Sequence, residues 1–315
     1  MPVSGLACDE NMSGKTLSAP RPILVVGKSG QLARSLVDAA TRRGIPLIAL
    51  GRPDLDLRDP GAIERVVGGA ELHALVNAAA YTAVDRAESD PDSAFAVNRD
   101  GAARLAQAAA TAGLPFVHIS TDYVFDGRKT SPYCEDDPTV PLNVYGRSKR
   151  ESEIVVQQAC PWAHILRSSW VYSPYGQNFV TTMLKLAQER QKMEVVDDQH
   201  GAPTAAADLA DAILRILMRP QPSSCAGLYH LAASGETSWH GFAEAIFASS
   251  ARRGWRTPDL QRIAAADYPF IAKRPTNSRL DCSKAASAFG IHMPDWRSSL
   301  EACLDAFFAR PSETM

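Results

Sequence analysis

No stretch of this 315-residue chain stays apolar for the roughly 20 residues a membrane-spanning helix needs, so no span is expected. Neither sign of charge is in excess. Lys and Arg number 33 against 35 Asp and Glu, a formal net charge of −2, which leaves no basic surplus for a phosphate backbone and argues against nucleic acid as a partner. Six cysteines (Cys8, Cys134, Cys160, Cys225, Cys282, Cys303) never form a CxxC pair. Seven histidines (His73, His118, His164, His200, His230, His240, His292) are spread singly, without ligand spacing. A disulfide framework and a zinc site are therefore not expected. No carboxylate cluster suggests another metal, and none is predicted. The opening MPVSGLACDENMSGKTLSAPRP lacks the apolar core of a secretory signal. These absences leave a globular protein of the cytoplasm, long enough for two domains or one large one.

Residues 1–20 are small and polar without periodicity and read as a flexible tail. From Ile23 a strict alternation begins. The short apolar runs ILVVG, PLIAL, HALVNAAA and LPFVHIS are separated by helical stretches, QLARSLVDAATRRG, PGAIERVVGGA and PDSAFAVNRDGAARLAQAAATAG. Short apolar strands between helices are the pattern of βαβ units around a parallel sheet. The alternation continues less regularly through the helix ESEIVVQQAC, the strand AHILRSSWVY and the helix FVTTMLKLAQER. Beyond Val196, loops interrupt at DDQHGAPT, LAASGETSW and AKRPTNSRL. The expected fold is α/β, a Rossmann-type doubly wound parallel sheet with a smaller C-terminal lobe over the carboxyl edge, where open sheets hold ligands. The expected division is a dinucleotide-binding domain over 21–170 and a substrate-binding lobe over 171–315, with about 205–232 returning to the first domain.

The first strand meets the first helix at Gly27-Lys28-Ser29-Gly30-Gln31-Leu32-Ala33. Glycines there permit a tight turn and let backbone N–H groups approach a pyrophosphate, and the helix N-terminus adds partial positive charge. Ala33 fills the third small position, where close helix–strand packing tolerates alanine. The second strand ends Leu50-Gly51-Arg52 with no acid to bond a ribose 2′-hydroxyl. A guanidinium suits a 2′-phosphate, which predicts NADPH over NADH, with NADH as the lesser coenzyme. Asp56, followed by Leu57 in DLDLRDP, is placed near the adenine or capping the next helix. Ala78, Ala79, Ala80, Tyr81 and Thr82 close the third strand with mostly small residues that leave room for the cofactor.

Tyr145 and Lys149 stand four residues apart, hence on one face of a helix. A free phenol ionises near pH 10, about three units too high for easy proton exchange at neutrality, and a nearby cation is expected to bring it down. Upstream, His118-Ile119-Ser120-Thr121-Asp122-Tyr123 ends the fourth strand with two hydroxyls, either of which suits a substrate carbonyl. Hydroxyl, phenol and ammonium beside a dinucleotide site predict a carbonyl reductase, with Lys149 also holding the nicotinamide ribose.

The segments NAAAYTAVDRAESDP, STDYVFDG, PLNVYGRSK, LRSSWVY, VVDDQHGAPT, GLYHLAASGETSW and RPTNSRL carry a more specific signal, because several are loops that folding alone does not require. Over 22–305 the chain resembles the extended short-chain dehydrogenases and, within them, the dTDP-4-dehydrorhamnose reductase family. The resemblance implies NADPH-dependent reduction at C4 of a dTDP-linked 4-keto-6-deoxy-L-sugar, a step of dTDP-rhamnose synthesis. It implies Thr121, Tyr145 and Lys149 as the catalytic set, with Asp122 contacting the sugar and Trp170 packing against its ring. By position, Asn178, Phe179, Gln199, Ala202, Pro203 and Thr204 line the sugar-nucleotide pocket, and Arg274, Asn277 and Arg279 supply donors to it, the diphosphate included. A homodimer is the implied assembly. Two alternatives use the same fold: a sister ketoreductase on another nucleotide-linked 4-keto-6-deoxysugar, and a nucleotide-binding regulatory subunit without turnover.

Overall fold

The computed structural model describes residues 20–220 and 222–310. The tail predicted over 1–20 thus lies outside the described residues apart from Pro20. Six parallel strands form the central sheet: β1 (Ile23–Val26), β2 (Leu47–Leu50), β3 (Ala74–Asn77), β4 (Phe116–Thr121), β5 (His164–Ser168) and β10 (Gly227–His230). They lie in the order β10-β5-β4-β3-β1-β2. The chain starts at β1, runs to β2, and returns to the other side of β1 for β3. The sheet therefore reverses direction between β1 and β3, the place where doubly wound sheets open a ligand crevice at their carboxyl ends.

Both faces of the sheet are covered, so the central β1, ILVV, is apolar and buried along its whole length rather than alternating. On one face Ile23, Val25, Val76 and Leu166 pack with α1 (Gln31–Arg43) and α8 (Ala206–Leu217). On the other, Leu24, Val26, Leu75 and Phe116 pack with α2 (Pro60–Gly68), α5 (Ala102–Thr111) and α6 (Val144–Ala159). The long helix expected after Pro91 is three consecutive pieces: α4 (Pro91–Phe95), a π-helical segment (Ala96–Gly101) and α5. Within the π segment, a Cβ on Gly101 would lie 2.7 Å from that of Leu57, so only glycine lets the chain pass.

A second cluster gathers Tyr172, Phe242, Ile246 and Trp296 from the β6 segment (Val171–Tyr172), α9 (Trp239–Ala251) and α11 (Trp296–Phe308), together with α7 (Phe179–Glu189). Two parallel strands, β7 (Lys192–Val196) and β12 (Asp259–Ile263), edge it. Residues 206–217 and 227–230 belong to the main sheet layer, as α8 and β10, and α10 (Ser283–Phe289) also packs there through Ala285 and Phe289. The strand expected over AHILRSSWVY is broken in two. Its ladder with β4 ends at Ser168, Ser169 Oγ donates to the Ala202 carbonyl at 2.9 Å, and Trp170 adopts a left-handed φ of 49° before β6 resumes.

Candidate active site

Gly27 opens the crevice with φ 123°, and a Cβ there would stand 3.0 Å from the backbone of Ala78 and Ala79. The two strand ends that flank the reversal thus touch through a position only glycine fills. Gly30 precedes α1 without any side-chain cap, so the helix's first-turn amides face the crevice with no side chain accepting from the N-cap. That cradle fits a dinucleotide diphosphate. Lys28 and Ser29 are exposed on it, Leu32 and Ala33 are buried beneath it, and Gln31 accepts a hydrogen bond from Ser173 of the second cluster's loop at 3.1 Å.

Arg52 is exposed just beyond β2, and Lys28 is paired with Asp54 at 3.1 Å. Asp56 does not cap α2. Its carboxylate is clamped by Arg58 at 2.6 Å, which holds it down at about 2, and Asp59 caps α2 by accepting from the Gly61 N–H. Leu57 is buried under Gly101, and its carbonyl accepts from Arg104. Ala78, Ala79 and Ala80 are half-buried at the crevice mouth and Thr82 is exposed. Tyr81 is fastened by Asn98 to its N–H and by its own hydroxyl to Asp90.

Asn143 caps α6, accepting from Gly146 N–H at 2.7 Å while its amide nitrogen donates to the Lys273 carbonyl. A Cβ on Gly146 would lie 2.3 Å from the Tyr123 carbonyl, so this glycine sets how closely the helix approaches the end of β4. Of the two strand-end hydroxyls, Ser120 is spent: it donates to Glu153 at 2.6 Å, which is also gripped by Arg167 through two bonds of 2.8 Å. Thr121 is the one that remains beside Tyr145, and it donates to Asp122 Oδ1 at 2.9 Å.

Tyr145 departs from its expected ionisation. Burial pushes the phenol up to about 12, with Thr121 pulling against it and Asp122 adding to it. The Lys149 cation exerts no visible pull, because its Nζ turns to the Ile119 carbonyl at 2.6 Å. Burial brings Lys149 itself down to about 8, with Glu153 opposing. Asp122, buried, is raised to about 6 by loss of solvent, against hydrogen bonds that include Ser278 and Thr121.

The second cluster supplies the opposite wall. The Trp170 indole stacks on Trp239 with centroids 3.6 Å apart and planes 8° from parallel, and Gly201 leaves the room for it. Gln199, Ala202, Pro203 and Thr204 are buried in the adjoining loop. Thr204 Oγ1 is committed, donating to Ala202 and accepting from Ala233 N–H. Asn178 proves to be a helix cap: it accepts from Thr181 N–H and donates to the Ser173 and Tyr175 carbonyls, so its amide is fully used. Phe179 packs on Trp239 and Phe242.

The three expected diphosphate donors also have other partners. Arg274 pairs with Asp85 at 2.7 Å and lies over the Phe270 ring. Asn277 donates to the Lys129 and Ser131 carbonyls and accepts from Arg279. Arg279 reaches Glu236 and the Thr130 carbonyl. Asn277 and Arg279 pin the 272–281 strap across the loop after β4, and Arg274 ties it to the helix Val84–Ser89 that follows β3. Sequence reasoning did not single out Trp239, although its place in GLYHLAASGETSW, beside the RSSW tryptophan in the same family signal, was available.

A phosphate cradle at the sheet's reversal, with a threonine, tyrosine and buried lysine on the neighbouring strand and helix, defines a dinucleotide-dependent oxidoreductase of the short-chain dehydrogenase class. Comparison with known proteins narrows the class. Residues 21–308 match the family model described as RmlD substrate binding domain. The dTDP-4-dehydrorhamnose reductase of Sinorhizobium fredii is 49% identical over 280 residues, 88% of this chain and 94% of that protein. The enzyme of the same name from Escherichia coli K12 is 40% identical over 91% of this chain and 98% of its own length. Among solved structures, the Bacillus anthracis dTDP-4-dehydrorhamnose reductase in complex with NADP superposes with a TM-score of 0.85 at 32% identity, covering 91% of this chain and 100% of that one. The chain belongs to the dTDP-4-dehydrorhamnose reductase family.

Proposed function

We propose that this protein reduces the C4 ketone of dTDP-4-dehydro-L-rhamnose to dTDP-L-rhamnose with NADPH. The observation that carries the reading is the Thr121–Tyr145–Lys149 set on β4 and α6, beside the Gly27 cradle, in a chain 49% identical to a relative of that name. The nicotinamide, when bound, supplies the hydride that the C4 carbon takes up. The chain's residues do the rest. Thr121 Oγ1, turning its proton from Asp122 to the C4 oxygen, orients that oxygen, and Tyr145 gives it its proton. Burial suits this direction of reaction, because a phenol held at about 12 stays protonated until the developing alkoxide takes the proton. Lys149, one helical turn on and brought down to about 8 by burial, returns a proton to the phenolate left behind.

The backbone of Gly27, Gly30 and α1's first turn would hold the diphosphate of the cofactor, and Arg52 its 2′-phosphate, with NADH accepted less well. Asp122, Trp170 and the loop from Gln199 to Thr204 form the sugar-nucleotide wall. Arg274, Asn277 and Arg279 act there by holding the strap in place. The division into a sheet domain over 21–170, rejoined by about 205–232, and a lobe over the rest of 171–315, a homodimeric assembly and a cytoplasmic location complete the proposal. No helix among the described residues is long and apolar enough to cross a membrane.

The test is NADPH absorbance with the dTDP-4-keto sugar generated enzymatically upstream. Stoichiometric consumption, with a product whose C4 configuration by NMR coupling constants is that of rhamnose, is expected. The opposite C4 configuration would make it the sister ketoreductase, and tight cofactor binding without turnover the regulatory subunit.

A further inference from the structure

His118 stands on β4 three residues before Thr121, almost wholly buried, and the mechanism above leaves it without a task. Its protonation is fixed twice over. Asn77 Oδ1 accepts from Ala79 N–H at 3.2 Å, which turns its amide nitrogen to His118 Nδ1 at 3.1 Å. An amide nitrogen only donates, so Nδ1 carries no proton. On the other side Ser152 spends its single proton on the Lys149 carbonyl at 2.6 Å, so its oxygen, 2.9 Å from Nε2, accepts. The imidazole is therefore neutral with its proton on Nε2. That same nitrogen lies 3.4 Å from Lys149 Nζ. Facing an ammonium, the Nε2–H sets donor against donor; facing an amine, it finds a lone pair.

We propose that His118 is a positioning residue for Lys149: locked as the Nε2–H tautomer, it presents a donor to the lysine nitrogen, favours the amine, and so makes Lys149 a proton-exchanging group. The inference rests on the reading of Lys149 as part of the reductase site. Burial holds His118 well below the ordinary imidazole range, with Lys149 adding to this, so His118 itself stays neutral. The other titratable groups around Lys149 are accounted for. On α6, Tyr145 lies one turn before it and Glu153 one turn after, the latter neutralised by Arg167 of β5. Asp122 follows β4, beyond Thr121. From the π segment, Arg99 is paired with Asp100 and Glu151, and Asn98 brings no charge. The same chain of bonds continues through Asn77 to Ala79, whose nitrogen abuts Gly27, so the group that tunes the lysine is anchored to the cofactor cradle.

Two variants separate tuning from scaffolding. His118→Gln keeps a donor near the Nε2 position; His118→Asn keeps an acceptor toward Asn77 and does not reach Lys149. Lysine Cε is followed by carbon-13 NMR against pH, with Lys149 assigned by its loss in Lys149→Met. The midpoint is expected near 8 in the parent protein and in His118→Gln, and higher by about one pH unit, a tenfold change in proton affinity, in His118→Asn. Ser152→Ala removes the competing acceptor and gives the whole Nε2–H to Lys149, so its midpoint should fall. Equal midpoints in the folded proteins, or an unmoved or raised midpoint in Ser152→Ala, would overturn the proposal. The readout needs no sugar nucleotide, so it fails or succeeds apart from the reductase assay.

Discussion

The Thr121 hydroxyl donates to the Asp122 carboxylate 2.9 Å away, and that carboxylate is buried and raised to about 6. A carboxyl raised above its ordinary 3.8 opposes folding wherever the unfolded chain would ionise it freely. The penalty is nil below about pH 4, grows as pH rises, and is complete above the folded value. Asp122→Asn should therefore raise stability by about 1–3 kcal/mol at about pH 8 and by nothing at about pH 4, since each pH unit separating the folded from the unfolded ionisation is worth about 1.4 kcal/mol. Thermal melts at both pH values check this; an equal change at both would contradict the burial argument.

Gly27→Ala should weaken NADPH binding by tenfold or more. The new methyl meets the Ala78 and Ala79 backbone at 3.0 Å, and the residue would have to keep a φ of 123°. Fluorescence titration of the coenzyme reads the effect, and an unchanged Kd would remove the cradle from the account.

Arg52→Ala should narrow the preference for NADPH over NADH, raising KM for NADPH while leaving that for NADH nearly unchanged. In the proposed function the exposed guanidinium beyond β2 meets only the coenzyme that carries the extra phosphate. Equal changes for both coenzymes would assign the 2′-phosphate elsewhere.

Arg279→Ala should lower the melting temperature, because Glu236, the Thr130 carbonyl and Asn277 all lose a partner. The cost is expected at about 1–3 kcal/mol for such a set of bonds. The Kd for the sugar nucleotide, measured well below the melt, should change less than threefold. A tenfold loss of affinity with an unchanged melt would restore Arg279 as a direct diphosphate donor.

The sheet was legible because buried strands such as ILVV and ALVN read as short apolar runs between helices, and LIAL and FVHIST keep enough of that pattern to be found beside them. The placement of Tyr145 and Lys149 on one helix follows from spacing alone. What spacing does not carry is the identity of long-range partners. Arg274 meets Asp85, Asn277 meets Lys129, and Arg279 meets Glu236, all far away in the chain, so donors expected for a ligand were already engaged. The turn at Trp170 was hidden for a related reason: its left-handed conformation rests on packing against Gly201 and Trp239, and nothing within RSSWVY announces it. The Tyr145 phenol shows the balance of two effects. A lysine four residues on suggested a lowered value, but burial outweighs it and Lys149 points to Ile119.

The most direct measurement is NADPH oxidation with the dTDP-4-keto sugar by parent protein and by Tyr145→Phe, each shown folded and able to bind coenzyme. Loss of the phenolic oxygen is predicted to lower kcat by about 10²–10⁴-fold while NADPH affinity stays within threefold. A Tyr145→Phe protein that turns over at the parent rate would contradict the proposed proton transfer.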